Sequence, residues 1–563
     1  MTQNKAQSEI RSSRGWAGRV VFILAVLSTV GIAWTRELVD VDVSQYKHWP
    51  KYERVPAGEI RPQEWRRSDD VIDGWDWSLP PSVKPSKRAL LCVSRRANHV
   101  PKLSFPANPV VSLWVFWSDL EPEEDRYDFS KLLGQLKGIE EAGYGAIIRP
   151  MTACYSRPSY PDASKTPDWR KKPCAPPYLV TKYQVTQIEE KPKPQGWRIV
   201  NLDPAHPKFH ERYCKFVRKL GEAGIPQMDV VKGFVVGYKS ASWGDEGIGP
   251  HGERNADNEP THVKERLDVW AEVCKGVEHK VCMGGASNYG FSKGFGIRRG
   301  FVEMYLYHIP DALIGQELDP KGYLTVNEAA IGVQPNRFHG EENEEFDERW
   351  THRFGQLESF VYRYHVANLR LLQMRCNYLL NSPFAVYPDM LPFTALEMGR
   401  TVDDAPDVWC ALRESYLRKG PAKNFERWLY QRDSKGFETV PAIKIDQAIK
   451  MWMVKPGKYH DYVARRGKRI AFKIDERFLK TSKRVAVKIT YLDEKKGSLR
   501  LIAGKIQREV ELLGSGQMRT ATFFIAKLDG DAEHDLIIEG TPEAVVSFVR
   551  VIKVPLASDE MPP

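Results

Sequence analysis

Along residues 88–385 apolar and polar positions recur in one order, a short strand-like apolar run followed by a stretch with helical spacing. Ala89–Ser94 and Val110–Trp117 are the first two runs, short and nearly uncharged, which predicts strands buried on both faces. Phe129–Ala142 then spaces its apolar residues as a helix does, with Asp128 or Ser130 near its start and Gly143 and Gly145 at its end. Ala146–Pro150 predicts a third strand, Pro207–Glu222 a helix stopped at Gly224, and Gly233–Gly237 a fourth strand. A helix over Thr261–Val277 precedes a strand at Val281–Gly284. Asn288–Pro335 fits neither period cleanly, and a long helix over Glu358–Arg375 leads into a closing strand at Asn377–Leu380. Strand–helix units repeated over this length predict an α/β architecture, a (β/α)8 TIM barrel.

The flanks have other textures. Residues 36–87 are rich in Pro, Trp and charge and predict an irregular lead-in segment that wraps the barrel. The polar loop Thr152–Val200 is too long for a plain connection and predicts a cleft wall. Ala405–Arg418 predicts a short helix. Beyond it, Ile470–Ile474, Arg484–Tyr491, Thr520–Ile525, Leu536–Glu539 and Val545–Val554 alternate as antiparallel strands do. The domain division is therefore 88–440 for the barrel and 441–563 for a C-terminal antiparallel β-sandwich. In residues 1–35, three arginines precede the apolar run Val20–Ala33, and Gly31-Ile32-Ala33 matches a cleavage pattern. This is a signal peptide or N-terminal anchor, and the expectation is export: periplasmic, extracellular, or membrane-anchored facing outward.

Composition narrows the classes. A formal charge of +10 over 563 residues is modest, and the basic residues are scattered, so no nucleic-acid partner is expected. The charge leaves room for an anionic substrate. None of the eight cysteines falls in a metal-ligand spacing, and no metal or organic cofactor is implied. Cys154 and Cys174 bracket a Pro-rich loop and are placed to pair in an oxidising compartment.

Two acidic stretches carry the candidate chemistry. Val230–Pro250 runs from the fourth strand into Tyr238, Trp243, Asp245 and Glu246, and Arg337–Glu345 gathers His339, Glu341, Glu342, Glu344 and Glu345. Carboxylates beside an aromatic at the carboxyl end of a buried strand are what a β/α barrel enzyme uses for chemistry, because the strand holds them rigidly over the cleft. Trp117 and Asp119 after the second strand, Arg149 ending the third and Asn288 after the fifth are candidate substrate contacts.

Trp117–Phe129, WSDLEPEEDRYDF, followed by Leu132–Ile148, resembles the start of clan A glycoside hydrolases, in particular the family 42 β-galactosidase-like group. Trp243-Gly244-Asp245-Glu246 resembles the acid/base strand end of such barrels, although the clan usually carries Asn-Glu where this chain has Asp245-Glu246. The resemblance implies a retaining, β-specific glycosidase with Glu246 as acid/base and Glu342 or Glu341 as nucleophile. It further implies a galactan-like or other polysaccharide-derived oligosaccharide substrate, and the positive balance leaves room for an acidic or sulfated one. The aromatic content, with 16 Trp, suits stacking of Trp117 and Trp243 on sugar rings. Two other readings stay open: a non-catalytic glycan-binding barrel, and a metal-dependent barrel hydrolase or lyase. The sequence leaves the oligomeric state open.

Overall fold

The structure is a computed structural model. It describes residues 55–66, 68–94, 97–98, 100–152, 154–156, 173–189, 200–237, 261–284, 287–301, 316–326, 337–342, 358–380, 384–385, 389–415, 422–446, 460–528 and 533–555. The expected leader, residues 1–35, lies outside them, as do Tyr238, Trp243, Asp245 and Glu246.

Eight parallel strands close into a barrel in sequence order. They are β1 (Leu90–Ser94), β2 (Pro109–Phe116), β3 (Gly145–Met151), β4 (Val231–Val236), β5 (Val281–Gly284), β6 (Gly296–Phe301), β7 (His339–Glu342) and β8 (Tyr378–Leu380). The TIM-barrel expectation holds. Six of the strands fall on or close to the stretches expected; β6, inside the region without a clear period, and β7, within the second acidic stretch, are the additions. Helices α1 (Ser130–Glu141), α2 (Pro207–Glu222), α3 (Thr261–Val273), α4 (Asn288–Ser292) and α5 (Glu358–Gln373) lie between strands, and α6 (Met390–Glu397) follows β8.

Helix α2 shows how the local sequence sets an element. Pro207 occupies its first turn, the His206 side chain caps it by accepting from the Lys208 amide at 3.2 Å, and Gly224 just beyond it adopts φ 70°. Phe209, Tyr213, Phe216, Val217 and Leu220 recur every three or four residues and are buried against the barrel wall. Each contributes roughly 1.5–3 kcal/mol relative to exposure.

The inside of the barrel is packed, not hollow. Cys92, Val110, Ile147, Val235, Cys282, Phe338, Tyr378 and Leu380 form its inner cluster. Glycines make room for the two largest rings: a Cβ at Gly233 would strike the Phe338 ring and one at Gly340 would strike Tyr378 and Phe338, while one at Gly296 would strike the Phe338 backbone.

The loop expected over Thr152–Val200 carries short strands at Cys154–Ser156 and Gln187–Glu189, which pair with Val200–Leu202. Cys174 is buried against Phe116 and Met151.

Eleven of the remaining strands form one antiparallel network among the described residues. It starts earlier than residue 441. Asp407–Ser415, expected within a helix, is a strand whose nine residues are all buried, pairing with Ala422–Arg427 on one side and Leu536–Lys553 on the other. Burial on both faces removes the alternation by which a strand is recognised. The lead-in also contributes: Asp70–Asp73 pairs with Met518–Ile525 in this sheet, and Val55–Pro56 pairs with Phe384–Ala385 beyond β8.

Barrel and sheet share a seam. Trp75, Trp77, Tyr362, Phe393, Trp409 and Phe548 belong to one buried cluster. Ion pairs of the sheet line the same layer: Asp461 accepts from Arg413 at 2.6 Å, and across the seam from the Tyr362 hydroxyl of α5 at 3.1 Å. Asp407 accepts from Arg550 at 2.8 Å.

Candidate active site at the carboxyl ends of the strands

Parallel pairing fixes which residues share a face of the barrel wall. On β7, Gly340 is in register with Tyr378, Glu341 with Leu379 and Glu342 with Leu380. Tyr378 and Leu380 lie in the inner cluster, whereas Leu379 packs outside, in the layer with α5 and α6. Position 342 therefore falls on the inner row and position 341 on the outer one. His339 shares the outer alternation, paired with Ile297, and is buried at 7 % exposure. Its backbone N–H donates to Asn377 Oδ1 at 2.8 Å, and its carbonyl accepts from the Asn377 amide at 2.9 Å, so this residue joins β7 to β8.

The inner rows of β3 and β6 bring two guanidiniums into the barrel. Arg149 on β3 is 3 % exposed and in register with Trp114 on β2, its guanidinium carbon 5.9 Å from the Trp114 ring centre. Arg298 on β6 is 5 % exposed and in register with Gly284 on β5 and Gly340 on β7. Sequence reasoning found Arg149 and missed Arg298 and Trp114. The signal for Arg298 was present: one arginine of the Arg298-Arg299 pair, two positions after Gly296, keeps the period-two spacing of a strand.

Asp119 and Asn288 are exposed, in the single helical turn after β2 and at the first position of α4. Ser287, just before α4, caps it by accepting from the Gly290 amide at 3.0 Å.

Trp117 lies elsewhere. It is fully buried outside the barrel wall, stacked on Phe216 of α2 at 5.3 Å, and its indole N–H donates to Glu121 at 2.7 Å. No face of that ring is open to a ligand. Glu121, also fully buried, pairs with Arg212 of α2 and accepts from the Asp125 amide at 3.1 Å. Arg212 donates further to the Tyr178 hydroxyl at 3.1 Å and the Tyr127 hydroxyl at 3.3 Å, and pairs with Asp125 at 2.7 Å. Hydrogen bonds from Arg212 and then Lys215 push the Asp125 carboxyl down to about 2. The segment Trp117–Phe129 thus builds a buried clasp that holds the β2 end against α2.

Strand β4 ends at Val236, and the Gly237 carbonyl accepts from the Tyr213 hydroxyl at 3.1 Å, which fixes where the chain leaves the barrel before residue 238. Burial pushes the Tyr213 phenol up to about 12, so it stays a neutral donor.

No family model matches the chain, and no curated protein matches it. Among solved structures, the chain is similar to the catalytic domain of a β-amylase from Paenibacillus polymyxa at 10 % identity and TM-score 0.29, covering 51 % of this chain and 87 % of that one. It is similar to endo-glycoceramidase II from Rhodococcus sp. at 12 % identity and TM-score 0.29, over 84 % of this chain and 100 % of that one. It is similar to a β-galactosidase from Halorubrum lacusprofundi at 15 % identity and TM-score 0.27, over 48 % of each chain. Likeness at this level says nothing about chemistry.

Proposed function

We propose that the protein is a retaining glycoside hydrolase acting on β-linked, polysaccharide-derived oligosaccharides, with Glu342 as nucleophile and Glu246 as acid/base. The observation that carries the reading is the register of β7, which gives position 342, and not 341, to the inner row at the carboxyl end of a closed barrel. That end is where barrel enzymes keep their chemistry. Glu246 follows the end of β4 by ten residues of chain, from Val236, and supplies the second carboxyl.

The chemistry divides between the two groups. Glu342 attacks the anomeric carbon while Glu246 protonates the leaving oxygen; Glu246 then takes a proton from the water that releases the sugar. The nucleophile must be ionised. Arg298, in register with Gly340 two positions earlier, supplies buried positive charge that favours the carboxylate. Arg149 and Arg298 would also receive an acidic or sulfated sugar, because guanidiniums bind such groups in bidentate fashion. The substrate class follows the same reading, galactan-like or sulfated, and so does an exported location.

The test is sugar release from a panel of neutral, uronic and sulfated oligosaccharides by the wild type, Glu246→Gln, Glu342→Gln and Glu341→Gln. Release that stops in the first two variants and persists in the third supports the assignment. Persistence in Glu342→Gln with loss in Glu341→Gln would overturn the register argument. Binding without release by any form would leave a glycan-binding barrel in place of an enzyme.

A further inference from the structure

On the opposite side of the barrel, away from the carboxyl ends of the strands, a cleft of about 440 Å³ opens between three parts of the chain. One wall is the hairpin Gln316–Leu318 and Leu324–Val326, from the connection between β6 and β7, which presents Leu324, Thr325 and Val326. The second is Arg375, in the turn from α5 into the amino end of β8. The third is the sheet, which contributes Trp428, Tyr430 and Arg432 above a floor that includes Glu426, with Arg477 at the rim.

The backbone at this cleft is unusual. Arg375 adopts φ 62° and Trp428 φ 59°, the left-handed region that glycine fills at little cost and bulky residues rarely enter. Arg375 stops α5: the Cys376 amide bonds back to the Leu371 carbonyl, the geometry for which glycine is the usual residue. An arginine fills it instead, and its guanidinium carbon lies 4.1 Å from the centre of the Trp428 ring. Trp428 separates the strands Ala422–Arg427 and Leu429–Gln431, and its other neighbour is Arg427 at 4.7 Å. Two residues held against their backbone preference, touching each other in one cleft, mark a place where side-chain identity is kept for more than the turn itself.

The chemistry of the lining is that of an anion site. It holds three guanidiniums and one carboxylate. Glu426 is engaged by Arg432 at 2.6 and 2.8 Å, which orients that guanidinium, and Asp475 does the same for Arg477 at 2.8 Å. Leu324, Val326 and Tyr430 give the cleft an apolar and aromatic side beside the charges. We infer that this cleft binds a sugar carrying a carboxylate or sulfate, the anion held by Arg375 and Arg477 and the ring lying along Tyr430. The saccharide part rests on the glycosidase reading; the anion part rests on the guanidiniums alone. The site is separate from the catalytic cleft, because Arg375 lies at the amino end of β8 and position 342 at the carboxyl end of β7.

The experiment is calorimetric titration of the full chain with D-glucuronate, galactose 6-sulfate, methyl β-galactoside and inorganic sulfate. It compares the wild type with Arg375→Gly, Arg477→Gln and Glu342→Gln. The expected result is saturable binding of both anionic sugars that persists in Glu342→Gln and weakens in the arginine variants, while any binding of the neutral sugar is the same in the wild type and the arginine variants. Arg375→Gly should weaken it roughly tenfold and Arg477→Gln about threefold. Arg375→Gly supplies the residue the helix stop favours, so its Tm should hold or rise; Arg477 is 47 % exposed, so its variant folds in any case. Equal affinity in the wild type and both arginine variants would overturn the proposal, as would no saturable binding by the wild type. Inorganic sulfate binding as tightly as galactose 6-sulfate would overturn the saccharide part. Turnover plays no part in the readout, so failure of the glycosidase assignment and failure of this site are distinguishable.

Discussion

Among the described residues, buried charge lies both outside the barrel wall and on its inner rows, in different company. Outside the barrel wall, every buried carboxylate described above has a fixed cation: Glu121 with Arg212, Asp461 with Arg413, Asp407 with Arg550. Inside, at the carboxyl ends, the inner rows carry Arg149 and Arg298 on strands beside glycine, tryptophan and position 342. The outer pairs are closed, with hydroxyls filling the remaining positions, as Tyr362 and Ser415 do around Asp461. Closed pairs hold elements together and have no capacity left for a ligand. The lesson is that an acidic motif near a strand end is read by the row it falls on, not by its composition.

The sharpest way to break this comparison is to exchange the two treatments. Glu342→Gln should reduce turnover by roughly 10³-fold or more while leaving the unfolding midpoint nearly unchanged, measured by initial rates and by thermal unfolding. Glu121→Ala should do the reverse, costing about 3–5 kcal/mol because Arg212 is left buried without its main partner. Folded Glu121→Ala should keep its rate, and loss of rate with stability intact would move the β2 clasp into the site.

A third prediction concerns pH. His365 of α5 is 1 % exposed, its ring 5.0 Å from Trp77 and 5.5 Å from Trp75, and burial lowers its pKa to about 3. The unfolded chain takes up this proton near pH 6.5 and the folded one does not until about pH 3, so stability falls as pH drops through that window. The contribution at pH 5 is about 2 kcal/mol. His365→Phe should flatten the unfolding free energy between pH 6.5 and 4; an unchanged slope would place the titration elsewhere. The smallest expected effect is that of Glu341→Gln, whose rate should stay within about threefold of wild type because its register partner Leu379 lies outside the barrel.

Most of the barrel was legible in the sequence because its strands are short apolar runs bounded by glycine or by helix caps, as at Val281–Gly284 and Pro207. What escaped has definite physical causes. Gly296–Phe301 carries arginines and glycines where an apolar run is expected, since its glycine makes room for Phe338 and its Arg298 faces the interior. Asp407–Ser415 is buried on both faces and so shows no alternation. The choice between Glu341 and Glu342 needed the partner strand, because a row is a property of pairing. Trp117 was read as a sugar platform from its place after β2, yet the helix of Phe209 and Phe216 covers it, a contact some ninety residues away in sequence that no local pattern discloses.

The short strand Asp70–Asp73 has a consequence for synthesis. Arg519, which pairs with Asp73, lies 446 residues further along the chain, with the entire barrel between them. At roughly 5–20 residues per second the ribosome needs about 20–90 s to deliver that partner. Throughout this interval the barrel is free to close while Asp70–Asp73 waits for its partner strand, and the tryptophans at 75 and 77 have His365 to pack on but not yet Phe548. The lead-in is thus the first part of the described chain to be made and among the last to be secured.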